Sequence, residues 1–150
     1  MENFRPWDAP DTFGKVALHP SALQAHLEQW PLKLSRVSSV SPYFHRSHLL
    51  IAADCTAYSC LYFHQAVLKH RLLTICCPDM EAERLSSKIT EIISANDILS
   101  IQIVRMDAPC CGKLADMVIN AVMRSRKDIP IKITTVFAEG ENVEGGSGEN

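Results

Sequence analysis

Apolar and polar positions along the middle of the chain alternate between two patterns. Short apolar runs occur at His48–Ala53, Arg71–Cys76, Leu99–Met106 and Ile131–Phe137, and continuous apolar runs of this length mark strands buried on both faces. Between them lie segments with helical spacing. Ala57–His70 is the first. Met80–Ala95 is the second, with Leu85, Ile89, Ile92 and Ile93 on one face and Asp79 placed to cap it. Cys110–Arg126 is the third, with Leu114, Met117, Val118, Ala121 and Val122 directed inward. Strands and helices alternating in this way build βαβ units on a parallel sheet. The expected fold class is α/β: a small three-layer domain with a mainly parallel sheet of about four strands and helices on both faces.

The flanks are less patterned. Residues 1–30 read as an N-terminal arm followed by a short helix, Ser21–Trp30, with Ser21 as its cap, Leu23, His26, Leu27 and Trp30 on one face, and Pro31 ending it. Leu32–Val40 alternates weakly and is expected as an extended connection or an additional strand. Residues 31–138 form the α/β cysteine-rich domain. Residues 139–150, rich in Gly and Glu, are expected to be a disordered tail, with Gly145–Asn150 resembling an appended linker.

Composition narrows the function classes. A chain of 150 residues with a net charge of −2 has no basic excess for a phosphate backbone, so no nucleic acid partner is expected. No apolar run approaches the ~18 residues of a membrane span, and Met1–Pro10 lacks the basic-then-apolar order of a secretory signal. A cytoplasmic protein is the expectation, and its six cysteines should then stay reduced.

Those cysteines carry the candidate chemistry. Cys55 follows the first strand, Cys76 and Cys77 end the second, and Cys110 and Cys111 follow the third. Five of the six therefore belong to one edge of the sheet, the carboxyl edge where open parallel sheets bind ligands. Neighbouring strands are ~4.8 Å apart, close enough for three loops to surround one group. Ala108-Pro109-Cys110-Cys111-Gly112 also opens a helix, where the helix dipole is expected to favour a thiolate. A cysteine at a strand end is often only a small core residue, and that is the expectation for Cys60. Asp54 and Asp107 are placed to hydrogen-bond amides of the cysteine loops. His64 is a weaker ligand candidate, and Cys76 another.

Structural zinc sites use C-x₂₋₄-C knuckles, and this sequence has none. Adjacent Cys110 and Cys111 fit separate irons of a cubane better than one small ion. The favoured site is a 4Fe-4S cluster held by Cys55, Cys77, Cys110 and Cys111, with zinc as the alternative.

In order along the chain stand W-P-L-K-L, L-L-I-A-A-D-C, F-H, C-P, N-D-I, V-R-M and A-P-C-C-G. This succession, from about Glu28 to Ala138, resembles the C-terminal domain of the 4Fe-4S ferredoxin-type iron–sulfur proteins of anaerobic bacteria and archaea. Cys55, His64, Cys110, Cys111 and Gly112 match it position by position, and its G/A-C-P motif selects Cys77. The resemblance implies a cluster-binding redox domain in an anaerobic cytoplasm. The chain departs from it in having no C-x₂-C-x₂-C-x₃-C ferredoxin run, in Lys113 where the family has Gly, and in the extra Cys60 and Cys76.

Function is therefore expected to be electron transfer or redox sensing with a partner protein. An oxidoreductase using an open-coordinated cluster or the Cys110/Cys111 thiols is the alternative. Homo-oligomerisation is left open by the sequence.

Overall fold

In a computed structural model, residues 26–138 and 142–144 are described. The expected strands form as β1 (Ser47–Ala53), β2 (Leu72–Cys76), β3 (Ile98–Met106) and β4 (Ile131–Val136), all parallel, and they lie in the order β2-β1-β3-β4. A fifth strand, β5 (Asn142–Glu144), pairs antiparallel with β4, Val136 facing Asn142. It falls where the sequence suggested a disordered tail. The composition there is poor in strand formers, and only the free edge of β4 gives this stretch hydrogen-bond partners.

Both faces of the sheet are covered, as the apolar runs require. Leu49, Ile51 and Ala53 of β1 join Ile101 and Ile103 of β3 on one face. There α2 (Ala82–Ala95) contributes Leu85, Ile89, Ile92 and Ile93, and α3 (Gly112–Ser125) contributes Leu114, Val118 and Ala121. Leu50 and Ala52, one residue out of phase, face the opposite side with Leu73 and Val104.

That second face is closed differently from expectation. No single helix spans 57–70. The chain makes one short helix, α1 (Thr56–Ser59), breaks at an extended Cys60, and continues in a π-helical segment, Phe63–Leu68. Phe63, Val67 and Leu68 are its buried residues, an i, i+4, i+5 spacing that suits the wider turn, closed by the Lys69 N–H on the His64 carbonyl at 3.1 Å. A regular helix through this apolar stretch has no single face to bury. The break sends Cys60, Phe63, Val67 and Leu68 inward and leaves Tyr58, Leu61 and Tyr62 in solvent.

The N-terminal side also departs from expectation. Residues 26–30 belong to no helix, and the rest of the expected one lies outside the described residues. Trp30 is exposed, whereas Gln29 is buried and donates its side-chain amide to the Leu73 carbonyl at 2.8 Å. The chain then runs beside β2: the Ile75 N–H bonds Leu32, and the Leu34 N–H bonds Ile75, both at 2.9 Å. This contact shields the outer edge of β2. Asp79 does not cap α2; Glu81 precedes the helix without a side-chain cap bond. At the other end of α2, Lys127 donates to the carbonyls of Ile93, Ser94 and Asn96 at 2.7, 3.1 and 2.7 Å. Among the described residues no helix is long and apolar enough to cross a membrane.

Candidate functional site at the carboxyl edge

Strand order reverses between β1 and β3: the chain moves from β1 outward to β2, then returns to the other side of β1. The loops leaving β1 and β3 therefore diverge and leave a crevice at their carboxyl ends. Asp54 and Cys55 leave β1 there, and Asp107 through Cys111 leave β3. The loop after β2 lies alongside, because the Asp54 N–H bonds the Cys76 carbonyl at 2.9 Å.

Each loop is fixed by its own local bonds. Thr56 is fully buried, and its hydroxyl donates to the Ala53 carbonyl at 2.8 Å, turning the chain so that Cys55 is exposed. Pro109–Cys111 forms a 3₁₀ turn leading into α3, closed by the Cys111 N–H on the Ala108 carbonyl at 3.0 Å. In that turn Cys110 points to solvent and Cys111 is buried against the core. Gly112 needs no glycine for its backbone, which is ordinary helix, and a β-carbon there would meet nothing.

The six cysteines form no disulfides. Cys55 and Cys110 are exposed, Cys77 is half-buried, and Cys76, Cys111 and Cys60 are buried. The charges of Cys110 and Cys55 both bear on Cys111, and those of Cys77 and Cys111 both bear on Cys76. The five strand-end sulfurs thus share one electrostatic neighbourhood. Cys60 lies apart from it, within the core on the second face, as expected.

The helix start does not activate Cys111. Burial, first among the causes, pushes its thiol above the ordinary range; a backbone hydrogen bond with Met106 opposes this, and Cys110 adds to it. Loss of solvation in the core thus outweighs what the helix start contributes. Cys76 is pushed up to about 12 by burial first and then by the charge of Asp54.

Asp54 does not serve the loop amides as expected. Its Oδ2 forms an ion pair with Lys33, and its Oδ1 is buried without a hydrogen-bond partner. Lys33 stands in W-P-L-K-L and carries no other signal in the sequence. His64 is exposed, and its Nδ1 accepts the backbone N–H of His26 at 3.3 Å, which occupies one of its two possible ligand atoms. Among the described residues no three His, Cys, Asp or Glu side chains are gathered as ligands of a single ion.

The profile of the Rossmann-like domain family matches residues 41–147. The chain belongs to that family. Its Rossmann-like domain thus takes in every strand, the crevice and all six cysteines. The chain is also similar to an uncharacterized protein of Archaeoglobus fulgidus, 29% identical over 101 residues, which covers 61% of this chain and 65% of that protein. The Rossmann-like domain has no significant match among solved structures.

Proposed function

We propose that the carboxyl edge binds a 4Fe-4S cluster through Cys55, Cys77, Cys110 and Cys111, and that the protein acts in electron transfer or redox sensing. The observation that carries this is the shared neighbourhood of reduced sulfurs from three strand ends at the switch point of a parallel sheet. The donor set fits: thiolate is the usual protein ligand of iron–sulfur clusters. The side chains of adjacent Cys110 and Cys111 interact with each other, and two neighbouring sulfurs from one turn can serve separate irons of a cubane. Structural zinc is usually held by C-x₂₋₄-C knuckles, which the chain lacks.

When bound, such a cluster supplies one-electron exchange. The protein's own groups set its surroundings. Lys33 is paired with Asp54 at the rim, so the two together add no net charge beside the sulfurs. Cys76, held as a neutral thiol, lines the floor without adding charge. Tyr58, Leu61 and Tyr62, on the segment after Cys55, expose uncharged side chains to solvent, a surface that suits a partner protein better than a charged ligand.

The test is anaerobic purification followed by optical and electron-spin-resonance spectra, with iron, sulfide and zinc assays. A brown protein with about four irons and four sulfides per chain is the expected result. Colourless protein free of iron after anaerobic reconstitution overturns the proposal and leaves a dithiol oxidoreductase as the leading alternative.

A further inference from the structure

The opposite end of the sheet holds a cavity of about 390 Å³ bordered by His48, Gln65, Lys69, His70, Arg71 and Ser100. His48 enters β1, Arg71 immediately precedes β2, and Ser100 lies near the start of β3. The cavity is therefore at the amino edge, away from the cysteines, and owes nothing to the cluster proposal. Its size is within the roughly 300–1,000 Å³ of small-molecule sites.

Charge sets this cavity apart. Two permanent cations and two imidazoles line it, and no carboxylate does among the described residues, in a chain whose net charge is −2. The comparison is a groove of about 440 Å³ along α2, where Glu83 and Glu91 offset Arg84 and Lys88. That groove is electrically balanced and calls for no ligand. The amino-edge cavity is unbalanced, and gathered cations repel one another until an anion enters.

Its donors are also held in place. One guanidinium nitrogen of Arg71, Nη1, donates to the carbonyls of Val67 and Lys69 at 2.9 and 3.3 Å. This pins the planar group and leaves its other N–H groups available. His48 Nδ1 is hydrogen-bonded to Ser100 Oγ at 2.7 Å across the β1–β3 pair, so the ring is oriented and Nε2 is left for a ligand. His70 occupies the left-handed region, φ 62°, uncommon for a residue with a side chain, and makes the tight turn that sets Lys69 and Arg71 on either side of it.

We infer that this cavity binds a small phosphate-bearing anion. Every bordering side chain except that of Ala66 carries an N–H or O–H group, and two of them are fixed cations, so the polar groups of the lining favour an anion. A tetrahedral phosphate, with three strong acceptor oxygens, satisfies a lysine, an arginine edge and an imidazole at once. A single carboxylate has fewer sites to offer.

The experiment is a nuclear magnetic resonance titration of the full ¹⁵N-labelled chain with pyrophosphate, inorganic phosphate and succinate, each at constant ionic strength set with sodium chloride. Saturable shifts at the amides of His48, Lys69, His70, Arg71 and Ser100 are expected with pyrophosphate. Lys69→Gln and His48→Gln, both at exposed positions, should each weaken binding at least ten-fold, with unchanged circular dichroism. Non-saturating shifts spread over the surface would overturn the site, as would affinity unchanged in both variants. Succinate binding as tightly as pyrophosphate would overturn the phosphate assignment. None of these readings depends on iron content.

Discussion

Lys33 and Asp54 form an ion pair across the carboxyl edge, joining the segment that borders β2 to the end of β1. Their side chains are 44% and 29% exposed, and Asp54 Oδ1 has no other partner. Removing the cation leaves a partly desolvated carboxylate beside the cysteines. Lys33→Met is expected to cost about 1 kcal/mol, the upper range for a pair that water still reaches, seen as a lower urea midpoint with an unchanged slope. The hydrogen bond to Asp54, first among the causes, raises the Lys33 ammonium above its ordinary 10.5. A raised pKa means that the pair's stabilisation is complete below pH 10.5 and is lost as pH climbs through the raised value. The gap between wild type and Lys33→Met should therefore close above that pH. A gap that persists there would show that packing of the lysine stem, not charge, is responsible.

Thiol accessibility is graded across the edge. In metal-free, reduced protein at pH ~8, below the ordinary thiol pKa, iodoacetamide should label the exposed Cys55 and Cys110 first and the half-buried Cys77 next. Cys111 should follow slowly, being buried and raised. Cys76, pushed up to about 12, should resist until the protein unfolds. Peptide mass spectrometry over time reads the order. Cys76 labelled as fast as Cys110 would contradict it.

Cysteine replacement separates ligands from core. Cys60→Ser is expected to leave iron and sulfide content intact and to lower stability, because Cys60 packs with Phe63 and Val67 on the face away from the crevice. Cys55→Ser, Cys77→Ser, Cys110→Ser and Cys111→Ser should each reduce both contents sharply. Loss in Cys60→Ser equal to that in the other four would overturn this ligand set.

Lys127 bonds three carbonyls at the end of α2, where the helix dipole is negative. Lys127→Ala should cost about 1–2 kcal/mol, the range for charge-assisted bonds together with the dipole term. Urea unfolding measures it, and Lys127→Arg should recover part of the loss. An unchanged midpoint in Lys127→Ala would mean that water replaces the ammonium without cost.

The sequence by itself determined the order of elements and the edge at which the chemistry gathers. Apolar runs such as Leu49–Ala53 are legible because a strand covered on both faces must be apolar at successive positions. The spacing of Leu85, Ile89, Ile92 and Ile93 is legible because only one stripe of α2 is buried. Once those strands are placed, the carboxyl-edge position of Cys55, Cys77, Cys110 and Cys111 follows from chain direction alone. Tertiary structure decided what depends on partners distant in sequence. The break at Cys60 comes from which side chains the second face of the sheet can accept, and β5 exists through the edge of β4. The Lys33–Asp54 pair spans 21 residues, and the cationic cavity draws on strand entries from His48 to Ser100. The direction of the Cys111 shift was also decided there. A helix start favours a thiolate, but burial of Cys111 against the core opposes it more strongly.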